Sequence, residues 1–235
     1  MFGASNASGK TAQLVSRQIS EASHKPKYTI DVRYPQMSDA EDSNHRRFND
    51  EVATLARQQV EEFKKHVTKP DPGLPGAAAG SSLDISYSVG LSTNDRLISV
   101  GFEADTYYAG AAHPNRHTFA YTYDLRQGRK LDLNDLFKPR SDYLKVIADY
   151  CVKTLAKQLD QPDIAWIRRG AGPTNRNYQS WMITAKGLKF TFDPYQVAPY
   201  SEGAQDIVVP YSIVKNFISI ESPIADLATH VMEKP

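Results

Sequence analysis

The run LDISYSVGLSTNDRLISVGFEA, residues 83–104, sets the fold class. Leu83, Ile85, Tyr87 and Val89 alternate with polar residues, and Ile98, Val100, Phe102 and Ala104 do the same. A period of two with β-branched and aromatic residues marks two half-buried strands. Thr93-Asn94-Asp95 supplies the turn between them. Phe119, Tyr121 and Tyr123 continue the pattern as a third strand, and Arg126-Gln127-Gly128 fits a hairpin loop in which glycine takes a positive φ. One apolar and one polar face per strand predict an antiparallel meander with one face in water.

Before the meander, Tyr28, Ile30, Val32 and Tyr34 alternate as a strand that Pro35 ends. A helix is predicted from an N-cap at Ser43 to about Val67, with Phe48, Val52, Leu55, Ala56, Val60, Phe63 and Val67 along one side. Residues 69–82 are a Pro/Gly/Ala connector. After the meander, 132–137 reads as a short turn, and 142–159 as a helix with Leu144, Ile147, Cys151, Leu155 and Leu159 inside. Cys151 then packs as a small hydrophobe. Residues 160–177 read as irregular and basic. Strands at 180–185 and 188–192 flank Lys186-Gly187, a Pro/Tyr/Gly loop fills 193–205, a short strand covers 207–209, and a helix begins at Pro210.

This order predicts an α+β fold: a mainly antiparallel sheet, two long helices, a short C-terminal helix and two closely associated lobes. The expected division is a flexible tether at 1–27, a β-α-β-β lobe at 28–112, a second α+β lobe at 113–220 and a tail at 221–235.

Twenty-eight Lys+Arg against 27 Asp+Glu leave 235 residues with a net charge of +1, which argues against a nucleic-acid binder. No apolar run approaches the ~18 residues of a membrane helix. One cysteine excludes an internal disulfide and a cysteine zinc cage. Residues 1–27 are small and polar at their start and carry no signal peptide. That fits either a cytosolic chain or an exported one whose leader has been removed.

No catalytic set converges, and no metal or cofactor is expected. Residues 4–11 match a loose phosphate-loop pattern without the strand that should precede it. His113 and His117 are four apart, but Pro114 breaks the helix a zinc pair needs. No Gly-x-Ser-x-Gly elbow occurs. Glu103 and Asp105 share one strand face, where they serve either acid–base chemistry or a solvated surface. Trp166 beside Arg168 and Arg169 has the composition of a stacking patch, although no broader basic stripe surrounds it. Tyr107 and Tyr108 flank the turn bearing His113, and Tyr195 and Tyr200 lie in the late loop. Tyrosine suits a protein or glycan contact surface and equally suits sheet-end packing.

Residues 107–137 (YYAGAAHPNRHTFAYTYDLRQGRKLDLNDLF) and 188–211 (LKFTFDPYQVAPYSEGAQDIVVPY) resemble the RsiV/PdaC-type extracytoplasmic domain family. That family is shared by RsiV-like anti-sigma factors, PdaC-like peptidoglycan deacetylases and Mpt64-like secreted proteins. Residues 28–67 resemble the small domain that precedes it. The resemblance implies a compact α+β fold outside the cytoplasm, behind a leader, a lipid anchor or one membrane helix. It also implies a binding or sensing module for a protein, lysozyme in the RsiV branch, or a peptidoglycan-related glycan. The candidate surface is Tyr107, Tyr108, His113, Pro114, Asn115, Tyr195, Tyr200, Glu202 and Gly203. The competing expectation is an envelope esterase or glycan hydrolase using Glu103 and Asp105, or a serine with His113.

Overall fold

In the computed structural model, residues 13–38, 40–67, 78–93 and 96–230 are described. The phosphate-loop pattern at 4–11, the Asn94-Asp95 turn and most of the connector at 69–82 lie outside them.

Strands β1 (Leu14–His24) and β2 (Lys27–Met37) open the chain as an antiparallel pair. Leu14–His24 therefore departs from the expected tether. Its residues are polar enough to hide the strand, and Leu14 and Ile19 are the hydrophobics of it that pack against the core. Helix α1 (Ser43–His66) follows, capped by Asp42 and not by Ser43. The Asp42 carboxylate accepts from the N–H groups of Asn44 and His45, satisfying donors that the first turn leaves free. Strands β3 (Ser81–Thr93), β4 (Leu97–Tyr107), β5 (Asn115–Asp124) and β6 (Arg129–Lys130) complete a sheet in the order β1-β2-β3-β4-β5-β6. All its pairs are antiparallel except β2 with β3. A parallel pair needs a long crossover, and α1 lies between those two strands in the chain.

The alternation predicted at 83–104 sets the faces of this sheet. Leu83, Ile85, Ile98, Val100, Phe102 and Ala104 point inward onto Phe48, Val52, Ala56, Val60 and Phe63 of α1, all buried. Tyr121 and Tyr123 of β5 join the same core. The outer face carries Asp84, Ser86, Ser99, Gly101, Glu103, Asp105, Arg116 and Thr118.

Helices α2 (Tyr143–Gln158) and α3 (Ile164–Ala171) come next, then strands β7 (Trp181–Thr184), β8 (Gly187–Phe192) and β9 (Gln205–Pro210) in an antiparallel sheet of that order. The expected irregular stretch 160–177 thus holds α3 and a 3₁₀ turn at Asn175–Tyr178. Short helices α4 (Tyr211–Val214) and α5 (Ala225–His230) close the chain, the second inside the expected tail. Ile147, Cys151 and Leu155 of α2 pack with Ile167, Phe190, Phe192 and Val209 in a second core. Burial pushes the Cys151 thiol up to about 12, so it behaves as a hydrophobe.

Strand β7 lies against the outer face of the first sheet. Ile183 N–H donates to Ser99 Oγ at 2.9 Å, and Ser99 Oγ bonds Thr122 Oγ1 at 2.8 Å. Two glycines make room: a Cβ at Gly90 would stand 2.5 Å from the Ile183 carbonyl, and one at Gly101 2.6 Å from Met182 Sδ. The second sheet therefore covers one part of the polar face and leaves a groove beside it.

Candidate functional site

The groove begins on β4 and β5. Register places Asp105 opposite Arg116 and Glu103 opposite Thr118. Arg116 binds Asp105 through Nε (2.8 Å) and Nη2 (2.7 Å), and reaches Glu103 through Nη1 at 2.8 Å. One guanidinium thus holds both carboxylates in a charge-assisted fork. The arrangement is a surface ion-pair cluster, with side-chain exposures of 35–47 %. Neither carboxylate is left free as a lone acid or base.

Asp193, at the entry to the late loop, closes the next edge. Its carboxylate accepts from Thr118 N–H at 2.8 Å and Thr118 Oγ1 at 2.7 Å. Lys189 pairs with Asp206 at 2.7 Å, and Thr191 Oγ1 donates to Asp206 at 2.6 Å. Between these groups lies a cavity of about 150 Å³, lined in part by Ser86, Ser88, Glu103, Thr118, Lys189 and Asp206. A larger polar cavity of about 370 Å³ opens by Lys130, Asp132, Asn134, Tyr143 and Gln179, and none of the sequence-predicted residues lines it.

The aromatic wall stands next to the ion pairs. Tyr200 lies over His113, with ring centroids 4.3 Å apart, and its hydroxyl donates to the Pro114 carbonyl at 3.0 Å. Tyr195 meets Tyr200 at 5.5 Å. Tyr195 is 56 % exposed, and its φ of 69° lies in the left-handed region that non-glycine residues avoid. Trp166 Nε1 donates to the Tyr195 carbonyl at 3.1 Å and helps hold that backbone. Gly203 ends the 3₁₀ turn Tyr200–Glu202, also at φ 69°, and a Cβ there would meet open space. Conformation alone asks for glycine at that position.

The structure therefore gathers His113, Pro114, Tyr195 and Tyr200, with Glu202 and Gly203 in the turn behind them. Asn115 opens β5 opposite Thr106. Tyr107 lies on the same sheet face as Asp105 and Glu103, whereas Tyr108 turns inward. The Tyr108 ring stacks on Phe63 at 5.6 Å, and burial raises its phenol above the usual range. Tyr108 is a packing residue. His113 Nδ1 lies 2.8 Å from the Pro114 carbonyl, and no serine bonds it among the described residues. Among those residues, no group of three His, Cys, Asp or Glu side chains is placed to hold a metal ion, and no helix is long and apolar enough to cross a membrane.

Sequence reading missed Arg116, Asp193, Lys189 and Asp206. Arg116 had a usable signal: a basic residue at the start of the strand that would pair with the carboxylate strand. Asp193 and Asp206 had none, because their partners are distant in the chain.

Residues 134–212 match DUF3298, a family described as a protein of unknown function. The chain is 25 % identical over 165 residues to the peptidoglycan-N-acetylmuramic acid deacetylase PdaC of Bacillus subtilis, covering 70 % of this chain and 34 % of that protein. It is 27 % identical over 111 residues to the immunogenic protein MPT64 of Mycobacterium tuberculosis, covering 47 % and 48 %. It is 26 % identical over 201 residues to the anti-sigma-V factor RsiV of B. subtilis, covering 83 % and 67 %. The chain spans about a third of the deacetylase and about half of the mycobacterial protein. A DUF3298 structure from Bacteroides fragilis superposes with a TM-score of 0.60 at 20 % identity, over 93 % of this chain and 98 % of that one. A second, from Pseudomonas aeruginosa, gives 0.59 at 15 % identity, over 89 % and 96 %. The expected resemblance to the RsiV/PdaC-type domain holds, and residues 134–212 match the DUF3298 model.

Proposed function

We propose that this protein is an extracytoplasmic binding module of the bacterial cell envelope. It acts without catalysis, and the aromatic face formed by His113, Tyr195 and Tyr200 is its contact surface. The observation that carries the reading is the pairing of an exposed aromatic wall with a fully tied-off ion cluster. Tyr195 and Tyr200 offer area with polar tips at small entropic cost. Beside them, Arg116 engages both Glu103 and Asp105, so the carboxylate pair singled out in the sequence is held in an ion-pair fork. A relative is named for peptidoglycan chemistry, which makes a peptidoglycan-related glycan the first ligand to test and an envelope-facing protein the second.

The test is co-sedimentation with insoluble peptidoglycan sacculi, beside the double variant Tyr195→Ala, Tyr200→Ala. The reading expects salt-resistant pelleting that the double variant loses, with no sugar, acetate or peptide released. Turnover of an ester, amide or glycoside that Glu103→Gln or His113→Ala abolishes would overturn it in favour of a hydrolase. Absence of pelleting, with capture of a protein such as lysozyme that the double variant loses, would move the ligand to the protein class.

A further inference from the structure

We propose that the outer side of α3 and the following 3₁₀ turn form an anion-binding patch for an acidic glycan, sugar rings that carry carboxylate or phosphate. This rests on the envelope reading above only for the source of the ligand. Between Ile164 and Phe192 the chain has no acidic residue and carries Arg168, Arg169 and Arg176. All three are exposed, and none makes an ion pair among the described residues.

Basic residues in the last turn of a helix are ordinarily explained by the carbonyls left free there. In α3 three of those carbonyls, at Arg169, Gly170 and Ala171, are already taken. Asn177 Nδ2 donates to the carbonyls of Arg169 and Gly172, each at 3.0 Å. Gln196 Nε2 donates to Gly170 at 2.9 Å, and the Tyr178 hydroxyl donates to Ala171 at 2.6 Å. Neutral side chains cap the helix, so the guanidinium groups are not spent on it. The same bonds fix the 3₁₀ turn bearing Arg176 against the end of α3.

An aromatic edge borders the cations. Trp166 and Arg169 are three apart on α3, hence neighbours on one side. The indole N–H holds the Tyr195 carbonyl, and Tyr195 keeps a left-handed backbone while its ring stays exposed. Backbone strain of that kind clusters at active sites and ligand clamps. Arginine forks match carboxylate and phosphate, while the flat rings offer an apolar face to a sugar. Three cations beside one indole, in a chain of net charge +1, are too narrow a stripe for a nucleic acid.

The experiment measures binding of the full chain to polygalacturonate, poly(glycerol phosphate), neutral dextran and single-stranded DNA at several salt concentrations. The variants are Arg168→Gln/Arg169→Gln/Arg176→Gln and the matching triple lysine, each first checked for an unchanged melting temperature. The wild type should bind at least one acidic glycan polymer and not dextran; which polymer binds identifies carboxylate or phosphate. The glutamine triple should lose about tenfold or more in affinity and flatten the log–log salt slope by about 2. The lysine triple should keep the slope. Equal binding to dextran, an unchanged affinity in the glutamine triple, or DNA bound as tightly as the glycans would each overturn the proposal. Arginine-dependent polymer binding by a protein that never pellets with sacculi would sustain the patch and remove the peptidoglycan reading alone.

Discussion

The helix-covered face of the first sheet and the loops around the end of α3, residues 172–180 and 193–204, are held by different physics. In the first, Phe48, Val52 and Phe63 of α1 meet Ile85, Ile98 and Val100 with almost no exposed area. Burial is non-directional and needs only apolar residues at the right period. In the second, side-chain amides and an indole N–H reach distant carbonyls: Gln196 to Gly170 and Asn177, Asn177 to Arg169, Trp166 to Tyr195. Such bonds are directional and have no period. The first region supplies stability, and the second shapes the surface that we assign to binding.

The largest effect should come from the apolar side. Phe48 is fully buried against Tyr121 and Tyr123. Phe48→Ala should destabilise by about 3–5 kcal/mol, read as a lower midpoint in urea unfolding. A loss below about 1 kcal/mol would break the contrast, because the helix face would not be carrying the stability.

A smaller effect is expected in the loop region. Gln196 donates to two carbonyls and accepts from Asp193 N–H at 3.1 Å. Gln196→Ala should cost about 1–3 kcal/mol and speed hydrogen exchange at 193–197 more than in either sheet. Uniform acceleration across the chain would contradict a local role and place Gln196 in the global core.

The smallest effect concerns the open polar face. Asp84 stands between Asp31 and Asp105 across the strands. Burial first, then those two carboxylates, raise its acid above the usual range. A raised carboxyl holds its proton more tightly in the folded state, so stability falls as pH climbs from the unfolded value of about 4 through the folded one. Asp84→Asn should therefore raise the melting temperature at pH 7 and lose that advantage in acid. A variant less stable than the parent at pH 7 would show that Asp84 makes a favourable contact instead.

The same contrast explains what the sequence made legible. Period two at 83–104 and the apolar side of 43–67 announced the sheet, its inner face and α1, because burial writes itself into spacing. Strand β1 did not announce itself: Leu14–His24 lies at a sheet edge, where one long polar strand suffices. Helix α3 was hidden because eight residues with two adjacent arginines carry too short a period, and its capping partners lie up to 26 positions away. At the site, the Ala-His-Pro turn and the Pro-Tyr loop were visible as motifs. Their meeting through the Tyr200 hydroxyl and the Pro114 carbonyl spans 86 positions and follows from the packing of the second sheet. Tyr108 shows the converse. Adjacent to Tyr107 and just past the end of β4, it turns to the inner side and packs on Phe63.

The central claim is that the His113–Tyr195–Tyr200 wall receives an envelope ligand without chemistry. Its most direct test is hydrogen exchange of the protein bound to fragmented sacculi, with the released material analysed in parallel. The account predicts slowed exchange at 113–118 and 193–203, unchanged exchange along α1, and no products. Protection confined to another face, or release of cleaved or deacylated glycan at these residues, would contradict it.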